Sequence, residues 1–400
     1  MRSIAIVGAS LAGTRAAETL RRDGFDGAIT IIGDEPHQPY DRPPLSKQVL
    51  AGEWQPDRIL LSDGAALGDL DVGWRLGHRA VGLDVATRTV TLDSGSPVTA
   101  DGILIATGAR CRELPTGGLD GIHTLRGLDD CLAIRAELEA TPRRVVVVGA
   151  GFIGAEVAAT ARGRGLEVTV VEALPVPLGR VLGPEIGTVC AEVHRDHGVD
   201  LRLGVGVDGF EGHGRVERVN LGDGTSVDAD VVVVGIGVIP NTGWLEGSGL
   251  ELNDGVVCDE TCLAAPGIAA AGDVARWPNR LFGETMRVEH WDNAIEQGQQ
   301  AVRRLLTADG KAQPYAPVPW FWSDQYDRKI QLAGRVRPDD EVRIVTGSTT
   351  ERRFAALYGR AGRLVGVLGF NRPRHVMKYR QLVARGAGFE EALAVAAREG

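Results

Sequence analysis

The chain has 400 residues, more than one hydrophobic core usually holds, so two or three domains are expected. Its formal net charge of −9 argues against nucleic acid as the main partner, because a phosphate backbone is bound by a basic surface. No apolar run reaches the length of a membrane span and an apolar strand begins within three residues of the N-terminus, so we expect no membrane segment, no signal peptide and a cytoplasmic location.

The first predicted element is an apolar strand that runs into a glycine-containing turn and a helix, in the stretch "IAIVGASLAGTRAAETL". This order is typical of dinucleotide-binding folds, where glycines permit a tight turn and a close approach of the backbone to the pyrophosphate. The turn carries Gly8, Ser10 and Gly13, with serine at the place of the middle glycine, so this stretch alone leaves an ordinary strand–helix turn equally open. The next strand, "AITIIGDE", ends at Asp34 and Glu35, at the distance where a carboxylate binds an adenosine ribose.

The second predicted unit is "VVVVGAGFIGAEVA", a four-valine run followed by the full glycine pattern of Gly149, Gly151 and Gly154. Amide groups and the dipole at the helix N-terminus would hold the phosphates, and we also expect Ile153 to contact the dinucleotide. The following strand, "LEVTVVEA", ends at Glu172, which is placed to accept both ribose hydroxyls. Two complete units imply two dinucleotides, and FAD with NAD is the pair in which a nicotinamide hands a hydride to a flavin.

The residues that follow Glu172 predict a preference for NADH over NADPH. Ala173, Leu174 and Pro175 come next, so no arginine is adjacent to receive a 2′-phosphate, which the carboxylate would repel. Arg180 is the nearby cation that could weaken this preference.

Three further apolar stretches mark the strands around an inserted domain. The stretch "DGILIATGA" predicts a buried strand after which the chain leaves the first domain, and "ADVVVVGIGVIPN" predicts the strand that closes the inserted one. In "GIAAAGDVA", Asp273 directly follows a strand, where it either caps a helix or bonds the ribityl chain of a flavin.

The cysteines are few and scattered, and we interpret them as structural thiols in a reducing compartment. None forms a C-x-x-C pair, and their spacing fits neither an iron–sulfur cluster nor a zinc site, so no metal is predicted. The five positions are Cys111, Cys131, Cys190, Cys258 and Cys262.

Seven motifs occur in order along the chain: "GASLAG", "PYDRPPLSK", "TLRGLDD", "GAGFIGAEVA", "AAAGDVA", "VEHWDNAIEQG" and "PWFWSDQYDRKIQLAG". Through them essentially all 400 residues resemble the oxygenase-coupled, FAD-dependent (putidaredoxin reductase-like) ferredoxin reductase family. The resemblance implies an α/β fold with two Rossmann-like, glutathione reductase-like dinucleotide-binding domains and a C-terminal α+β interface domain. The FAD domain would comprise 1–113 and 243–318, the NAD domain 114–242 and the interface domain 319–400.

The resemblance also implies roles for residues that match the family's motifs. The FAD-site residues would be Gly8, Ala12 and Gly13 along the pyrophosphate, Asp34 at the adenosine ribose, Ala80 at the adenine through its backbone, Arg126 balancing the pyrophosphate charge, Asp273 at the ribityl chain, and Trp291 at the pyrimidine end through its backbone.

Two residues are candidates for a catalytic role. By the resemblance, Lys47 at the end of "RPPLSK" would reach the reactive edge of the isoalloxazine, where reduction builds negative charge that a fixed cation stabilises. The alternative is a solvated loop lysine. Glu156 would pair with Lys47 and meet the nicotinamide, or it is an ordinary first-turn carboxylate favoured by the helix dipole.

The electron acceptor is expected to be external. The resemblance to disulfide-reducing flavoproteins would place a cysteine pair in the stretch "DRPPLSKQVL", which contains no cysteine, so disulfide reduction is disfavoured. In the last eighty residues, "RKIQLAGRV" and "RRFAALYGRAGRLVGVLGF" predict strands around a Gly-Arg-Ala-Gly turn, with helices from about residue 372.

Two sets of side chains in this last region are candidates for the acceptor's docking side. The aromatic cluster of Trp320, Phe321 and Trp322 is either core packing or, by resemblance, includes a tryptophan beside the flavin. The basic set is either an ordinary charged helix face or a patch that suits an acidic ferredoxin; it consists of Arg372, Arg374, Lys378 and Arg380.

The predicted function is therefore that of an NADH-dependent, FAD-containing ferredoxin reductase. Hydride would pass from NADH to FAD, and single electrons would then pass to a [2Fe–2S] ferredoxin that supplies an oxygenase or a cytochrome P450. A rubredoxin reductase is the nearest alternative. An NADH-sensing flavoprotein of the apoptosis-inducing-factor type, which signals through conformation, is the alternative from another class.

Overall fold

The computed structural model describes residues 1–61, 68 and 70–398. The chain forms two compact units, each built from three separate segments. The first unit comprises Met1–Asp41, Ile59–Arg110 and Ile239–Pro319. The second comprises Arg42–Arg58, Cys111–Val238 and Trp320–Gly400. The four domain ranges expected from the sequence divide the chain differently around residues 42–58, and they stay a prediction.

Groups of one or more strands separate the described helices, except for the last two, which follow one another. They are α1 (Leu11–Arg22), α2 (Gln48–Ala51), α3 (Leu128–Glu139), α4 (Phe152–Gly163), α5 (Gly179–Asp196), α6 (Trp291–Leu306), α7 (Pro373–Ala384) and α8 (Phe389–Ala397).

The described strands are mostly short. They are β1 (Ser3–Val7), β2 (Ala28–Gly33), β3 (Gly73–Leu76), β4 (Ala80–Asp84), β5 (Thr89–Leu92), β6 (Pro97–Thr99), β7 (Gly102–Ile105), β8 (Ala109–Cys111), β9 (Ile122–Thr124), β10 (Arg144–Val148), β11 (Glu167–Glu172), β12 (Asp200–Leu203), β13 (Val207–Gly212), β14 (Val216–Leu221), β15 (Ser226–Asp228), β16 (Val231–Val234), β17 (Val238–Pro240), β18 (Val256–Val257), β19 (Leu263–Ala265), β20 (Ile268–Ala270), β21 (Ala275–Asn279), β22 (Glu284–Arg287), β23 (Trp320–Gln325), β24 (Arg328–Gly334), β25 (Glu341–Ser348), β26 (Arg353–Arg360) and β27 (Arg363–Phe370).

The first unit is built on a six-stranded sheet in the order β19–β20–β7–β1–β2–β3. The first strand runs parallel to β2 and β7 on either side, so the carboxyl ends of all three meet at one edge of the sheet. Helices α1 and α6 pack closely because residue 298 is glycine: a Cβ there would lie 2.6 Å from the carbonyl oxygen of Ala12. Two three-stranded sheets, β4–β5–β6 and β18–β21–β22, complete the unit.

The second unit contains a five-stranded sheet in the order β12–β11–β10–β16–β9. The valine run of β10 lies in its middle, parallel to β11 and β16, and is buried on both faces. A three-stranded sheet, β13–β14–β15, lies in the same unit, and β8 pairs with β17 as a two-stranded ribbon. Two sheets whose central strands are parallel, and which each follow the strand–glycine turn–helix order, confirm the predicted α/β class.

The C-terminal sheet is antiparallel, in the order β23–β24–β27–β26–β25. Strands β26 and β27 are joined through Ala361 and Gly362, both with positive φ (49° and 74°), as a two-residue hairpin turn requires. This is the Gly-Arg-Ala-Gly turn expected from the sequence, and α7 and α8 follow it as predicted.

Helix α5 packs its apolar side on this C-terminal sheet within the second unit. Leu182, Ile186 and Cys190 share one buried cluster with residues of β24, β26 and β27. The helix is kinked at Gly183 (φ +81°), which precedes Pro184, and the hydroxyl of Tyr358 donates to the carbonyl oxygen of Leu182 at 3.0 Å. A side chain of the sheet thus donates to a carbonyl oxygen of the helix beside the kink.

Within the described residues all five cysteines are free thiols, and four of them are buried. Burial raises the pKa of the Cys131, Cys190 and Cys258 thiols to about 12, so these groups stay protonated at neutral pH. None of the helices in the described ranges combines the length and the apolar character needed to cross a bilayer.

Candidate functional site

The first glycine turn, between β1 and α1, has a backbone that excludes side chains at two positions. Gly8 has a φ of +126°, and a Cβ there would lie 2.0 Å from the carbonyl oxygen of Ala106. A Cβ on Gly13 would lie 1.9 Å from the carbonyl oxygen of Gly8. Ser10 has an extended backbone (φ −88°) that any residue adopts, which explains why serine replaces the middle glycine without distorting the turn.

Asp34, the acidic residue after β2, lies one position farther along the chain, relative to strand register, than Glu172 at the end of β11. Strand register pairs Val7 with Ile32, so the residue beyond that pair is Gly33 rather than Asp34. A Cβ on Gly33 would lie 2.6 Å from the Cβ of Ala9, which explains the glycine. Asp34 itself is exposed and accepts the amide of Glu35 at 3.1 Å. Its contact with a ribose stays a prediction.

The remaining FAD candidates of the first unit lie on separate elements. Ala80 is buried at the start of β4. Asp273 lies in a short 3-10 turn whose preceding residue is Ala271, so Asp273 is not its cap residue. Trp291 is the first residue of α6, and its indole donates to the carboxylate of Asp41 at 2.7 Å.

The second glycine turn, between β10 and α4, repeats the same construction. Gly149 has a φ of +98°, and a Cβ there would lie 2.4 Å from the carbonyl oxygen of Gly235. A Cβ on Gly154 would lie 2.1 Å from the carbonyl oxygen of Gly149. Around Gly151, by contrast, no described atom lies within 4 Å of the Cβ position, and the neighbouring Ile153 is 47% exposed. The turn therefore leaves open space beside the helix N-terminus, where a pyrophosphate fits.

The carboxylate of Glu172 is fixed at this turn by two backbone amides. The amide of Ala150 donates to Oε2 at 2.7 Å, and that of Leu174 donates to Oε1 at 2.9 Å. Each carboxylate oxygen keeps further acceptor capacity, as recognition of two ribose hydroxyls requires. Arg180 is exposed at the start of α5.

The predicted ion pair between Lys47 and Glu156 is present. The Lys47 ammonium lies 2.7 Å from Glu156 Oε2, and the hydroxyl of Ser46 donates to the same oxygen at 2.5 Å. Oε1 accepts the hydroxyl of Ser323 at 2.8 Å and the amide of Asp324 at 3.2 Å. Glu156 is 3% exposed, so a buried carboxylate accepts four hydrogen bonds, one of them from a cation.

Three of these four donors were not predicted. Ser46 lies beside the lysine in the quoted motif, but Ser323 and Asp324 follow Glu156 by 167 and 168 residues. The sequence indicates Ser323 only as part of the motif "PWFWSDQ" and gives no sign that it bonds to Glu156.

Arg126 lies in the second unit, just before α3. Its amide donates to Asp130 Oδ2 at 2.9 Å, and its carbonyl oxygen accepts the Arg42 guanidinium at 2.6 Å. The role of its side chain at a pyrophosphate stays a prediction.

The aromatic residues of β23 alternate between two faces of the strand. Trp320 and Trp322 stack on one face with ring centroids 5.3 Å apart. Phe321 faces the other way and meets Phe152 edge-on at 4.4 Å, as part of the buried cluster under α5. Core packing therefore accounts for the phenylalanine, and the two half-buried tryptophans remain candidates for the acceptor side.

Residues 2–298 match the pyridine nucleotide-disulphide oxidoreductase family, and residues 320–398 match the reductase C-terminal family. The chain belongs to this family. Its members use a pyridine nucleotide, in agreement with the second glycine turn and Glu172.

Relatives in the family are similar over nearly the whole chain. A 5,5′-dehydrodivanillate O-demethylase ferredoxin reductase subunit from Sphingobium sp. is 40% identical over 95% of this chain and 93% of its own. Rhodocoxin reductase of Rhodococcus erythropolis is 38% identical over 96% and 89%. Putidaredoxin reductase of Pseudomonas putida is 34% identical over 95% and 91%.

Solved structures agree with these relatives. The putidaredoxin reductase in a covalent complex with putidaredoxin has a TM-score of 0.90, at 34% identity over 96% of this chain and 93% of its own. The ferredoxin reductase for the CYP199A2 system of Rhodopseudomonas palustris has a TM-score of 0.92, at 38% identity over 98% and 97%. The resemblance to oxygenase-coupled ferredoxin reductases is confirmed.

The family is named for disulfide reduction, but the segment before α2 contains no cysteine and therefore no disulfide. Ser46 lies there, and the thiol of Cys131 donates to the carbonyl oxygen of Leu45 at 3.1 Å. Burial raises the pKa of that thiol to about 12, which keeps it protonated at neutral pH.

Proposed function

We propose that this protein is an NADH-dependent, FAD-containing ferredoxin reductase that supplies electrons, through a [2Fe–2S] ferredoxin, to an oxygenase or a cytochrome P450. The observation that carries the proposal is similarity over the whole chain, including the C-terminal domain, to proteins named as the reductase components of such systems. The Sphingobium relative is named a ferredoxin reductase subunit and the Rhodopseudomonas palustris structure a ferredoxin reductase, which favours a ferredoxin over a rubredoxin.

The first glycine turn is the proposed FAD site. Gly8 and Gly13 leave no room for side chains, so the N-terminus of α1 approaches its strand closely and points its amides toward a bound pyrophosphate. Ala12 on the same helix and Asp273 beyond β20 are proposed to contact the flavin nucleotide. Bound FAD would supply the conversion between a two-electron hydride and two single electrons.

The second glycine turn is the proposed NADH site. Glu172 holds its carboxylate toward the turn through the amides of Ala150 and Leu174, and its charge favours two hydroxyls over a phosphate. Gly151 keeps the approach to the helix N-terminus open among the described atoms. NADH is therefore expected to be preferred, with Arg180 as the cation that limits the preference.

Lys47 is proposed as the cation that stabilises negative charge on the reduced flavin, and Glu156 as the group that orients it. A lysine held 2.7 Å from a buried carboxylate is restricted to few rotamers, so its charge is fixed before the reaction begins. A solvated loop lysine would have to be ordered during the reaction.

The proposed partner-facing side includes α7, which presents basic and apolar surface together. Arg374 is exposed and Met377 is 50% exposed, one turn apart, and Lys378 follows. A protein of net charge −9 repels acidic partners in general, so a local basic face would select where an acidic ferredoxin docks.

The proposal is tested by anaerobic stopped-flow absorbance of the FAD-loaded protein, mixed with NADH and separately with NADPH. Rapid bleaching by NADH and much slower bleaching by NADPH are expected, followed by reoxidation when a [2Fe–2S] ferredoxin is added. No bleaching with either nucleotide would overturn the reductase proposal. Bleaching by NADH that no carrier protein reverses would favour the sensor alternative.

A further inference from the structure

The carboxylate of Glu156 joins two parts of the second unit through different oxygens. Oε2 accepts from Ser46 and Lys47, which lie on the segment before α2. Oε1 accepts from Ser323 and Asp324, which lie on β23 of the C-terminal sheet. Because the two oxygens belong to one rigid group, anchoring Oε1 on the sheet sets the direction in which Oε2 faces Lys47.

The hydroxyl of Ser323 is held in a single orientation. Ser323 and Gln325 are fully buried on the same face of β23, and the Gln325 amide donates to Ser323 Oγ at 3.2 Å. A hydroxyl has one proton, and with its oxygen accepting from Gln325 that proton is directed to Glu156. Ser323 is therefore a fixed donor, placed before any ligand binds.

The backbone on the lysine side is already secured without Ser323. The Thr160 hydroxyl donates to the carbonyl oxygen of Ser46 at 2.8 Å, and the Arg164 guanidinium donates to that of Ala51 at 3.0 Å. Loss of Ser323 should thus leave the segment folded. What changes is the rotation of the Glu156 carboxylate and, through it, the position of the Lys47 ammonium.

We propose that Ser323 is a positioning residue for the first half-reaction, so that the C-terminal domain takes part in reduction of the flavin by NADH as well as in partner recognition. The proposal rests on the proposed function. Ser323 acts through Glu156 and Lys47 and is not required to touch either dinucleotide. Removing its hydroxyl should slow the hydride step while leaving NADH binding at Glu172 unchanged.

The test is single-turnover flavin reduction by NADH in Ser323→Ala, measured over a range of NADH concentrations. We expect the limiting rate to fall about tenfold, the lower end of the effect of losing a hydrogen bond to a charged group, with the half-saturating NADH concentration unchanged. Reoxidation of the reduced variant by ferricyanide should keep the wild-type rate. Ser323→Thr, which retains a hydroxyl, should recover most of the limiting rate.

Tyr358→Phe is the matched control, because it also removes a buried hydroxyl from the C-terminal sheet but one that bonds to Leu182. It should leave flavin reduction within twofold of wild type. If Tyr358→Phe slows reduction as much as Ser323→Ala, general loosening of the sheet explains the effect and the proposal is wrong.

A double-mutant cycle with Glu156→Gln separates positioning from other effects. In the Glu156→Gln background, Ser323→Ala should change the limiting rate less than twofold, since its target has already lost its charge. Equal effects in both backgrounds would overturn the proposal. If Ser323→Ala fails to fold, Ser323→Cys, a weak donor of similar size, is measured in its place with the same expectations. Wild type that is not reduced by NADH would instead refute the proposed function.

Discussion

The two glycine turns have the same backbone construction but present their acidic residues differently. In each, the outer glycines exclude a side chain because a Cβ would lie within 2.4 Å of a carbonyl oxygen. In the second turn Glu172 directly follows the last residue of β11 that pairs with β10, and its carboxylate accepts the amide of Ala150 in the turn. In the first turn that place belongs to Gly33, and Asp34 lies one residue farther, exposed. Under the proposed function, the shared turn would set where a pyrophosphate binds, whereas the end of the second strand would decide how the ribose is held.

The largest expected effects come from placing a methyl group in either turn. Gly13→Ala should yield protein without bound FAD, because the Cβ would lie 1.9 Å from the Gly8 carbonyl oxygen. Gly154→Ala should keep FAD but be reduced by NADH about a hundredfold more slowly, since the turn can no longer hold its geometry. Flavin absorbance per protein and stopped-flow reduction measure the two effects. Gly163→Ala is the control, as no described atom lies within 4 Å of that Cβ position. A Gly13→Ala protein that still contains bound FAD would contradict the prediction.

The next effect concerns nucleotide choice and the different placement of the two acids. Glu172→Gln should lower kcat/KM for NADH about tenfold through the loss of charge-assisted hydrogen bonds, and raise it for NADPH through the loss of repulsion. Asp34→Asn is the matched change in the first turn and should leave the NADH-to-NADPH ratio as in wild type. Steady-state kinetics with a chemical electron acceptor measures both ratios. A shifted ratio in Asp34→Asn would mean that the two turns are not specialised as proposed.

A third effect distinguishes the two units by their response to acid. His194 on α5 is fully buried, and burial, followed by nearby His197, lowers its pKa to about 4 from 6.5. Below pH 6.5 this histidine is therefore protonated in the unfolded chain, whereas in the folded protein it stays neutral down to about pH 4. The contribution of His194 to the free energy of unfolding is fully present above pH 6.5 and is lost as the pH falls from 6.5 to 4. Between pH 7 and 5 the loss should be about 2 kcal/mol. Hydrogen exchange should show strands β24 and β26, on which α5 packs, losing protection at pH 5 before β1 and β7.

His194→Gln checks the assignment, because a neutral amide can still bond to the Tyr326 hydroxyl that lies 2.8 Å from His194 Nδ1. The variant should show a weaker pH dependence of protection in the second unit. An unchanged pH dependence would place the titrating group elsewhere.

The smallest effect comes from making the first turn more like the second. Ser10→Gly restores the full glycine pattern, but the backbone at this position is already accessible to serine. The change should lower stability by about 0.5–1 kcal/mol, because glycine has more freedom in the unfolded chain, and should leave FAD bound. Thermal unfolding with flavin fluorescence measures both. Stabilisation would show that serine strains the turn.

Much of the fold was predictable because its signals are local. The glycines, the valine run and the strand that ends at Glu172 lie within about thirty residues, so periodicity and turn chemistry identified two dinucleotide-binding units. The hairpin around Ala361 and Gly362 was predictable for the same reason. The pairing of Lys47 with Glu156 came from the resemblance to a known family, since the residues are 109 positions apart.

Other features depend on register and long-range packing, which spacing does not resolve. Counting about twenty residues from the glycines identifies Asp34 and Glu172 equally well, although strand register separates them by one position. Ser323 lies within an aromatic motif, but its bond to Glu156 depends on how β23 packs against α4. No local pattern encodes that contact.

The packing of the kinked helix α5 limits which segments can be exchanged between such reductases. Leu182, Ile186 and Cys190 pack against the C-terminal sheet, and Tyr358 donates to the carbonyl oxygen of Leu182 beside the kink. Transplanting residues 320–398 from a relative to obtain a new electron acceptor would replace the surface on which this helix rests. The outer helices α7 and α8, which end the chain beyond that sheet, are the better unit of exchange. A chimera that keeps β23–β27 and replaces only those helices would retain the support for α5 while changing the charged surface proposed to face a carrier protein.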